Sequence, residues 1–211
     1  MSFKNQSYEL TAKHIIDKLA KRNMEGFYCE NSKEAVDLVL SFMEKGSVIA
    51  WGGSESIKEA GIMDAINNGD YELIDRLKAQ TPEERREVFA RTVMSDYFLM
   101  STNAITLEGE LVNIDGNGNR LAALIHGPSH VIIVAGMNKV CADVESAYKR
   151  VKTDACPPNA VRLDRNVPCG KTGVCADCFS PDCFCNQIVV TRRSGHAGRI
   201  KVVLVGEELG Y

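Results

Sequence analysis

The chain has 211 residues, a net charge of −3 and 45% hydrophobic residues. We expect one domain over residues 1–211, with a core that does not need disulfide bonds. No basic tract stands out that could neutralise phosphates, which argues against nucleic acid as a partner. The first 23 residues lack the apolar segment of a signal peptide, and no apolar run is long enough for a membrane span. These features predict a cytoplasmic protein, in which thiols stay reduced.

The first part of the chain alternates helical and strand patterns. Residues 8–23 and Ser32–Lys45 have the apolar spacing of amphipathic helices. Ser47–Trp51 (SVIAW) is typical of a short buried strand, and it leads into GGSES and another helical stretch. Tyr71–Asp75 is predicted to be the next strand.

The middle of the chain begins with a clear helix start. TPEE at Thr81–Glu84 has the sequence of a capping box and predicts a helix to about Ser95. Tyr97–Ser101 follows as a strand. Leu111–Ile114 and Leu121–Leu124 flank the turn-rich DGNGN, so we expect a β-hairpin there.

The last part of the chain contains the cysteine-rich region. Val131–Ala135 (VIIVA) is typical of a central parallel strand, and a helix is predicted from about Val140 to Val151. Residues 156–187 show little periodicity and are expected to form a loop insertion ordered by what the cysteines bind. Ile188–Arg192 and Ile200–Leu204 are the final predicted strands. This alternation predicts an α/β fold with a mostly parallel sheet.

Five of the eight cysteines lie within CGKTGVCADCFSPDCFC, from Cys169 to Cys185. The C-x-x-C pair at Cys175 and Cys178 lets two thiolates reach one ion or cluster, and four thiolates can hold Zn²⁺ or an iron–sulfur cluster. A structural zinc site usually pairs two such units, whereas this segment has one. The spacing therefore favours a 4Fe–4S cluster over zinc, and both over a set of free thiols.

Five cysteines compete for four ligand positions in this segment. Cys183 and Cys185 are one residue apart, so binding by both to the same metal would be strained. The predicted ligands are Cys169, Cys175, Cys178 and Cys185, with Cys183 as the alternative. Cys156 is a further candidate, and an iron without a thiolate would stay open to substrate.

The segment WGGSES suggests an anion-binding loop. It follows a strand and opens a helix, and Gly52 and Gly53 allow close approach to the backbone, with Ser54 and Ser56 supplying hydroxyls. It lacks the lysine of a P-loop and the spacing of a dinucleotide fingerprint. A tight turn with Ser56 as the helix cap explains the same residues equally well.

A second polar segment, STNAITLEGELVNIDGNGNR, follows the strand that ends at Ser101. Its polar side chains are candidates for lining a cleft at strand ends, although turn chemistry explains most of them: Asn103, Glu108, Asn113, Asp115 and Asn119. Arg120 and Lys139 are candidate partners for a carboxylate or phosphate. His126 and His130 are candidate acid–base groups without a recognisable constellation.

Several segments together resemble the LUD, or lactate-utilisation, domain proteins. They are GGSESIKEAGI, DYFLMSTNAITLEGELVNIDGNGNRLAALIHGP, VIIVAGMNKV and CGKTGVCADC followed by GRIKVVLVGEELGY. The resemblance covers nearly the whole chain and is closest to a short, cysteine-bearing branch found in anaerobes. It implies the three-layer α/β/α Rossmann-like fold of the NagB, RpiA and CoA-transferase group.

The resemblance also implies a site. Glycine–serine loops of that group bind sugar phosphates or CoA thioesters, which agrees with an anion at Gly52–Ser56. Its CoA-transferase branch has an active glutamate near a strand end, and Glu108 is the candidate here. Together with Asn103, Arg120 and Lys139, these residues form the predicted substrate site.

Three functions remain open at this point. The first is an iron–sulfur protein that acts on a small anionic metabolite, such as a lactate-type hydroxy acid or a sugar phosphate. The second is an electron-transfer or redox-sensing partner of iron–sulfur oxidoreductase subunits. The third is an isomerase-like domain with structural zinc. A homo-oligomer is compatible with each of them.

Overall fold

A six-stranded parallel sheet forms the centre of the structure, a computed structural model that describes residues 2–211. Its strand order is β1-β10-β7-β4-β2-β3, and every neighbouring pair is parallel. The strands are β1 (Glu25–Cys29), β2 (Val48–Trp51), β3 (Glu72–Ile74), β4 (Tyr97–Met100), β7 (His130–Gly136) and β10 (Ile200–Val205). The parallel α/β prediction is confirmed.

Helices cover both faces of this sheet. The helices within residues 2–211 are α1 (Phe3–Lys21), α2 (Ser32–Ser41), α3 (Glu55–Glu59), α4 (Ile62–Asn67), α5 (Pro82–Val93), α6 (Asn119–Ile125), α7 (Val144–Arg150), α8 (Cys156–Arg162) and α9 (Pro168–Thr172). Alternate residues of the central strand β7 face opposite layers. Ile133 packs with α1 and α6, whereas Ile132 packs with α2, α3 and α4. The result is the three-layer α/β/α fold that the resemblance implied.

A second sheet extends beyond the carboxyl ends of the first. Its order is β8-β5-β6-β9, with β8 (Val140–Cys141), β5 (Ala104–Thr106), β6 (Leu111–Asp115) and β9 (Gln187–Thr191). Buried residues of α7 and the start of α8 pack against it. Between these helices lies a π-helical turn, Val151–Ala155, just before Pro157 and Pro158. Because prolines have no amide hydrogen to donate, they cannot close the usual α-helical bonds to that turn.

The structure corrects one prediction about local structure, the β-hairpin. Leu121–Leu124 is not the second strand of a hairpin but part of α6, which starts after Gly118 at φ +79°. The Asp115 carboxylate accepts from the amides of Asn117 and Gly118, so DGNGN forms a helix entry. A short apolar run such as LAALI does not distinguish strand from helix. Residues 156–187 contain α8 and α9, but most of them lie outside helices and strands, as the sequence predicts.

Within residues 2–211, no helix is both long enough and apolar enough to cross a membrane.

The central strand should dominate stability. Ile133 is 0% exposed in β7, whereas Ile125, at the end of α6, is 62% exposed. We expect Ile133→Ala to lower the free energy of unfolding by about 2–5 kcal/mol, because it leaves a cavity in the core. The matched Ile125→Ala should change it by no more than about 0.5 kcal/mol. Urea unfolding of both variants measures this, and equal losses would contradict the assigned layers.

Candidate functional site

A cleft of about 470 Å³ lies at the carboxyl edge of the parallel sheet. It is lined by the segments that follow β2, β3, β4 and β7, where ligands of open α/β sheets usually bind. We call it the basic cleft. The predicted residues that line it are Gly53, Ser54, Ser56, Asn103, Asp115, Asn119, Arg120 and Lys139.

The two glycines of the loop after β2 let arginine side chains approach the backbone. A Cβ atom at Gly53 would lie 2.6 Å from a guanidinium nitrogen of Arg76. A Cβ atom at Gly52 would lie 3.1 Å from Cδ of Arg120, so Gly52 supports the cleft from outside its lining. The helix cap is Ser54, whose Oγ accepts from the amide of Ile57 at 3.3 Å, so the prediction of Ser56 as cap is wrong.

Arg120 is held in place by several neighbouring groups, among them the carbonyl of Ser101 at 3.4 Å. Its guanidinium donates to Oδ1 of Asn113 at 2.8 Å and to Oδ1 of Asn103 at 3.0 Å. It also bonds to the carbonyl of Ile114, and its Nε lies 3.6 Å from the Asp115 carboxylate. Burial lowers the pKa of Arg120, with Asp115 acting against that shift. The result is a fixed cationic group in the cleft wall.

Lys139 follows β7 and is 3% exposed. Its Nζ donates to Oγ of Ser56 at 2.7 Å and to Oγ of Ser101 at 3.1 Å. Burial, with Arg150 and Arg120 nearby, lowers the pKa of Lys139 to about 7. The amine therefore exchanges protons readily at neutral pH.

Positive charge exceeds negative charge in the lining of the basic cleft. The cations are Arg76, Arg120, Lys139, Arg162 and Arg165, and the carboxylates are Glu55, Asp115 and Asp182. Each carboxylate lies within 4 Å of one arginine: Asp115 of Arg120, Glu55 of Arg162 and Asp182 of Arg165. In the part of the chain from residue 2 onward, the Arg76 guanidinium has no hydrogen-bond or ion-pair partner.

Sequence reasoning missed the arginines at positions 76 and 162. Arg76 follows directly after the predicted strand Tyr71–Asp75, so its place at a strand end was a usable signal. Arg162 lies at the end of α8 and reaches the cleft through tertiary packing, which no local pattern reveals.

The structure does not bring every candidate to the cleft. Glu108 lies in the turn between β5 and β6, where its carboxylate accepts from Nζ of Lys18 at 2.7 Å. That ion pair lowers the pKa of Glu108. Glu108 is not among the residues that line the basic cleft. His130 starts β7, at the opposite edge of the sheet from Lys139, and stacks on Tyr97.

A second cavity, of about 410 Å³, adjoins the first and is rich in thiols. We call it the cysteine cavity. It is lined by all five predicted ligand candidates and by one more cysteine: Cys156, Cys169, Cys175, Cys178, Cys183 and Cys185. The cysteines that are distant in sequence thus meet around one space. Cys29 and Cys141 lie outside its lining.

The thiols of this cavity interact with one another. The sulfur atoms of Cys156 and Cys185 are 3.6 Å apart. Burial raises the pKa of Cys169, and the neighbouring Cys185, Cys175 and Cys178 raise it further. In residues 2–211, no three His, Cys, Asp or Glu side chains are arranged as a metal site.

The two cavities share a wall. Cys156, Cys183 and Phe184 line both of them, as do Ile114 and Asn186. Whatever the thiols bind would therefore lie next to a molecule in the basic cleft.

The lowered pKa of Lys139 has a consequence for stability. The pKa is about 7 in the folded chain, against the usual lysine value of 10.5, so the unfolded chain holds more protons between these values. The contribution of Lys139 to the free energy of unfolding should therefore rise between about pH 7 and pH 10.5, and it should be lowest below pH 7. Relative to Lys139→Met, wild-type stability should increase by on the order of 2 kcal/mol from pH 7 to pH 9. Urea unfolding at both pH values measures this, and parallel pH profiles would contradict it.

Comparison with known proteins identifies the family. The sequence profile of the LUD domain matches residues 12–205. A solved structure similar to this chain is that of a DUF162 family protein from Deinococcus radiodurans, with 13% identity, a TM-score of 0.53, and coverage of 94% of this chain and 97% of that chain. At this identity the likeness concerns the fold alone. A comparison with functionally curated proteins gives no match. Because the profile match covers most of the chain, this protein belongs to the LUD domain family.

Proposed function

We propose that this LUD-domain protein binds a small anionic metabolite in the basic cleft, next to an iron–sulfur cluster held in the cysteine cavity. A lactate-type hydroxy acid is the substrate class that the family context favours, and a sugar phosphate is the alternative. The observation that carries the proposal is the unpartnered guanidinium of Arg76 in the same cleft as Lys139, in a lining with excess positive charge.

The cleft supplies the groups that a hydroxy acid needs. A guanidinium matches the two oxygens of a carboxylate, and that of Arg76 has its donors free within residues 2–211. The hydroxyls of Ser56 and Ser101 and the amide of Asn103 line the same space and suit a substrate hydroxyl. Arg120 is already fixed by its own hydrogen bonds, so it adds positive potential without having to be reordered when an anion binds.

The donor set of the cysteine cavity fits an iron–sulfur cluster. Thiolates are the usual ligands of 4Fe–4S clusters, and six cysteines line this cavity. The proposed ligands are Cys169, Cys175, Cys178 and Cys185, with Cys183 or Cys156 as alternatives. A bound cluster would supply electron transfer, or a Lewis acid if one iron lacked a thiolate.

The wall shared by the basic cleft and the cysteine cavity favours a function in which the bound anion and the cluster act together. If the cluster served only an external oxidoreductase subunit, it would not need to adjoin an anion site. Cys156 and Cys183 instead line both cavities. Structural zinc in an isomerase-like domain and electron transfer to a partner protein remain the alternatives that the following measurements separate.

Arg76 should dominate anion affinity. We expect Arg76→Met to weaken binding of L-lactate or inorganic phosphate by about 10–100-fold, because a charge-assisted hydrogen bond contributes about 1.5–3 kcal/mol. Arg86→Met, on the exposed face of α5, is the matched control and should bind as the wild type does. Isothermal titration calorimetry measures both. Equal affinities in the two variants, or no binding of either anion by the wild type, would refute the cleft assignment.

The metal content tests the second half of the proposal. Protein purified without oxygen should contain about four iron and four sulfide per chain, little zinc, and a visible absorption band. Cys178→Ser should lose this band, whereas Cys29→Ser, in the core beneath the parallel sheet, should retain it. Stoichiometric zinc without sulfide would establish the structural-zinc alternative instead. A full cluster in Cys178→Ser would show that the proposed ligand set is wrong.

A further inference from the structure

We propose that Lys139 forms an imine with the carbonyl carbon of a 2-oxo acid bound in the basic cleft. This inference rests on the proposed function and narrows its substrate class, because a 2-oxo acid is the oxidised counterpart of a 2-hydroxy acid. It assigns Lys139 a covalent role in place of simple charge attraction. The orientation of the amine, its protonation and a free guanidinium in the same cleft support this role.

The hydrogen bonds of Lys139 orient its nitrogen. Oγ of Ser56 lies 3.1 Å from the carbonyl oxygen of Leu209, and Oγ of Ser101 lies 3.3 Å from that of Thr102, so each hydroxyl can donate to a carbonyl. Both hydroxyls are then acceptors toward Nζ, and the lysine amine must donate to both. A neutral amine has two N–H bonds, so its lone pair is directed away from the serines.

The same geometry argues against Ser56 as the nucleophile. A serine attacks a carbonyl only when a base takes its proton. The hydroxyl of Ser56 is directed to the Leu209 carbonyl and accepts from Lys139, so the lysine is not placed as its base. Without a base Ser56 stays a weakly nucleophilic hydroxyl, whereas a neutral Lys139 amine is a nucleophile without losing a proton first.

The surroundings of Lys139 disfavour its charged form. Its side chain is buried, and the guanidinium groups of Arg150 and Arg120 face it from α7 and α6, while Glu59 on α3 acts in the opposite direction. These groups lower the pKa of Lys139 to about 7. A lysine that is desolvated and next to other cations is the activated form of this nucleophile.

Other lysines in the chain lack this combination of burial, neighbouring cations and a place in the basic cleft. Lys18 and Lys152 are held by ion pairs with Glu108 and Asp177. Lys13 is exposed and pairs with Glu9. Lys139 is the lysine in the lining of the basic cleft, where the Arg76 guanidinium is available for the acid's carboxylate.

Imine formation needs no oxidant. The nitrogen of Lys139 forms a bond to the carbonyl carbon, and the carbon–oxygen double bond opens toward oxygen. The oxygen leaves as water that carries the two amine protons, and a carbon–nitrogen double bond remains. The imine draws electrons from the carbon atoms next to it, which makes bonds at those atoms easier to break.

Reductive trapping of the intact protein tests this step. The protein, prepared without oxygen, is treated with pyruvate and cyanoborohydride at neutral pH, which converts an imine into a stable carboxyethyl amine. Peptide mapping of the wild type should place the adduct on Lys139 in more than about tenfold excess over any other lysine, because more of this amine is unprotonated. L-lactate, which has the carboxylate but no carbonyl, should suppress the adduct without forming one.

Variants complete the test. Lys139→Arg should lose the adduct, and Lys13→Arg should retain it at the wild-type yield. Mapping on the wild type does not depend on the folding of either variant. Wild-type labelling that is absent, or that is spread over the lysines, would overturn the imine. If L-lactate still binds and Arg76→Met weakens it, the anion site stands without the imine; if L-lactate and phosphate also fail to bind, the proposed function itself is refuted.

Discussion

The guanidinium of Arg120 joins the parts of the molecule that form the cleft. It bonds to Asn113 and Ile114 on β6 and to Asn103 in the segment after β4, and its stem packs against Gly52 after β2. Burial of a cation is costly unless the cation is paired and hydrogen-bonded, so this group constrains the position of each acceptor. The second sheet is thereby fixed to the carboxyl edge of the first, and the cleft lies between them.

This constraint also explains the electrostatics of the site. Asp115 offsets part of the charge of Arg120, at 3.6 Å, but Lys139 and Arg76 have no carboxylate paired with them within residues 2–211. Net positive potential focused in a cleft attracts anions more strongly than the same charges would on an open surface. The fold therefore maintains a charge imbalance that a bound anion would relieve.

Some of this arrangement could be predicted from sequence. VIIVA and SVIAW identified central strands, and polar residues directly after strands indicated where a cleft would form, since the ends of parallel strands meet at one edge. The cluster of cysteines was equally visible because its spacing is local. The hairpin was wrong because LAALI fits either strand or helix, and its burial against β6 and α5 decides between them.

The positions of the other site residues depend on tertiary packing. Glu108 and Asn103 belong to the same polar segment, but β5 separates them. The carboxylate of Glu108 therefore bonds to Lys18 and does not reach the cleft. Arg162 reaches the cleft only through the position of α8, and Cys156 joins the other thiols across a long stretch of chain. Such neighbours depend on how the two sheets stack, which no short window of residues encodes.

The π-helical turn at Val151–Ala155 determines how α8, the helix that follows it, is rotated about its axis. A π-helical turn holds one more residue than an α-helical turn, so it shifts everything downstream by about 100° around the axis. Val151 and Ala155 stay in the core while Cys156 faces the boundary between the two cavities. A chain lacking one residue in this turn would rotate Cys156 and the rest of α8 by a similar angle, so it would lose both the core contacts of Cys156 and the alignment of its thiol with the cleft.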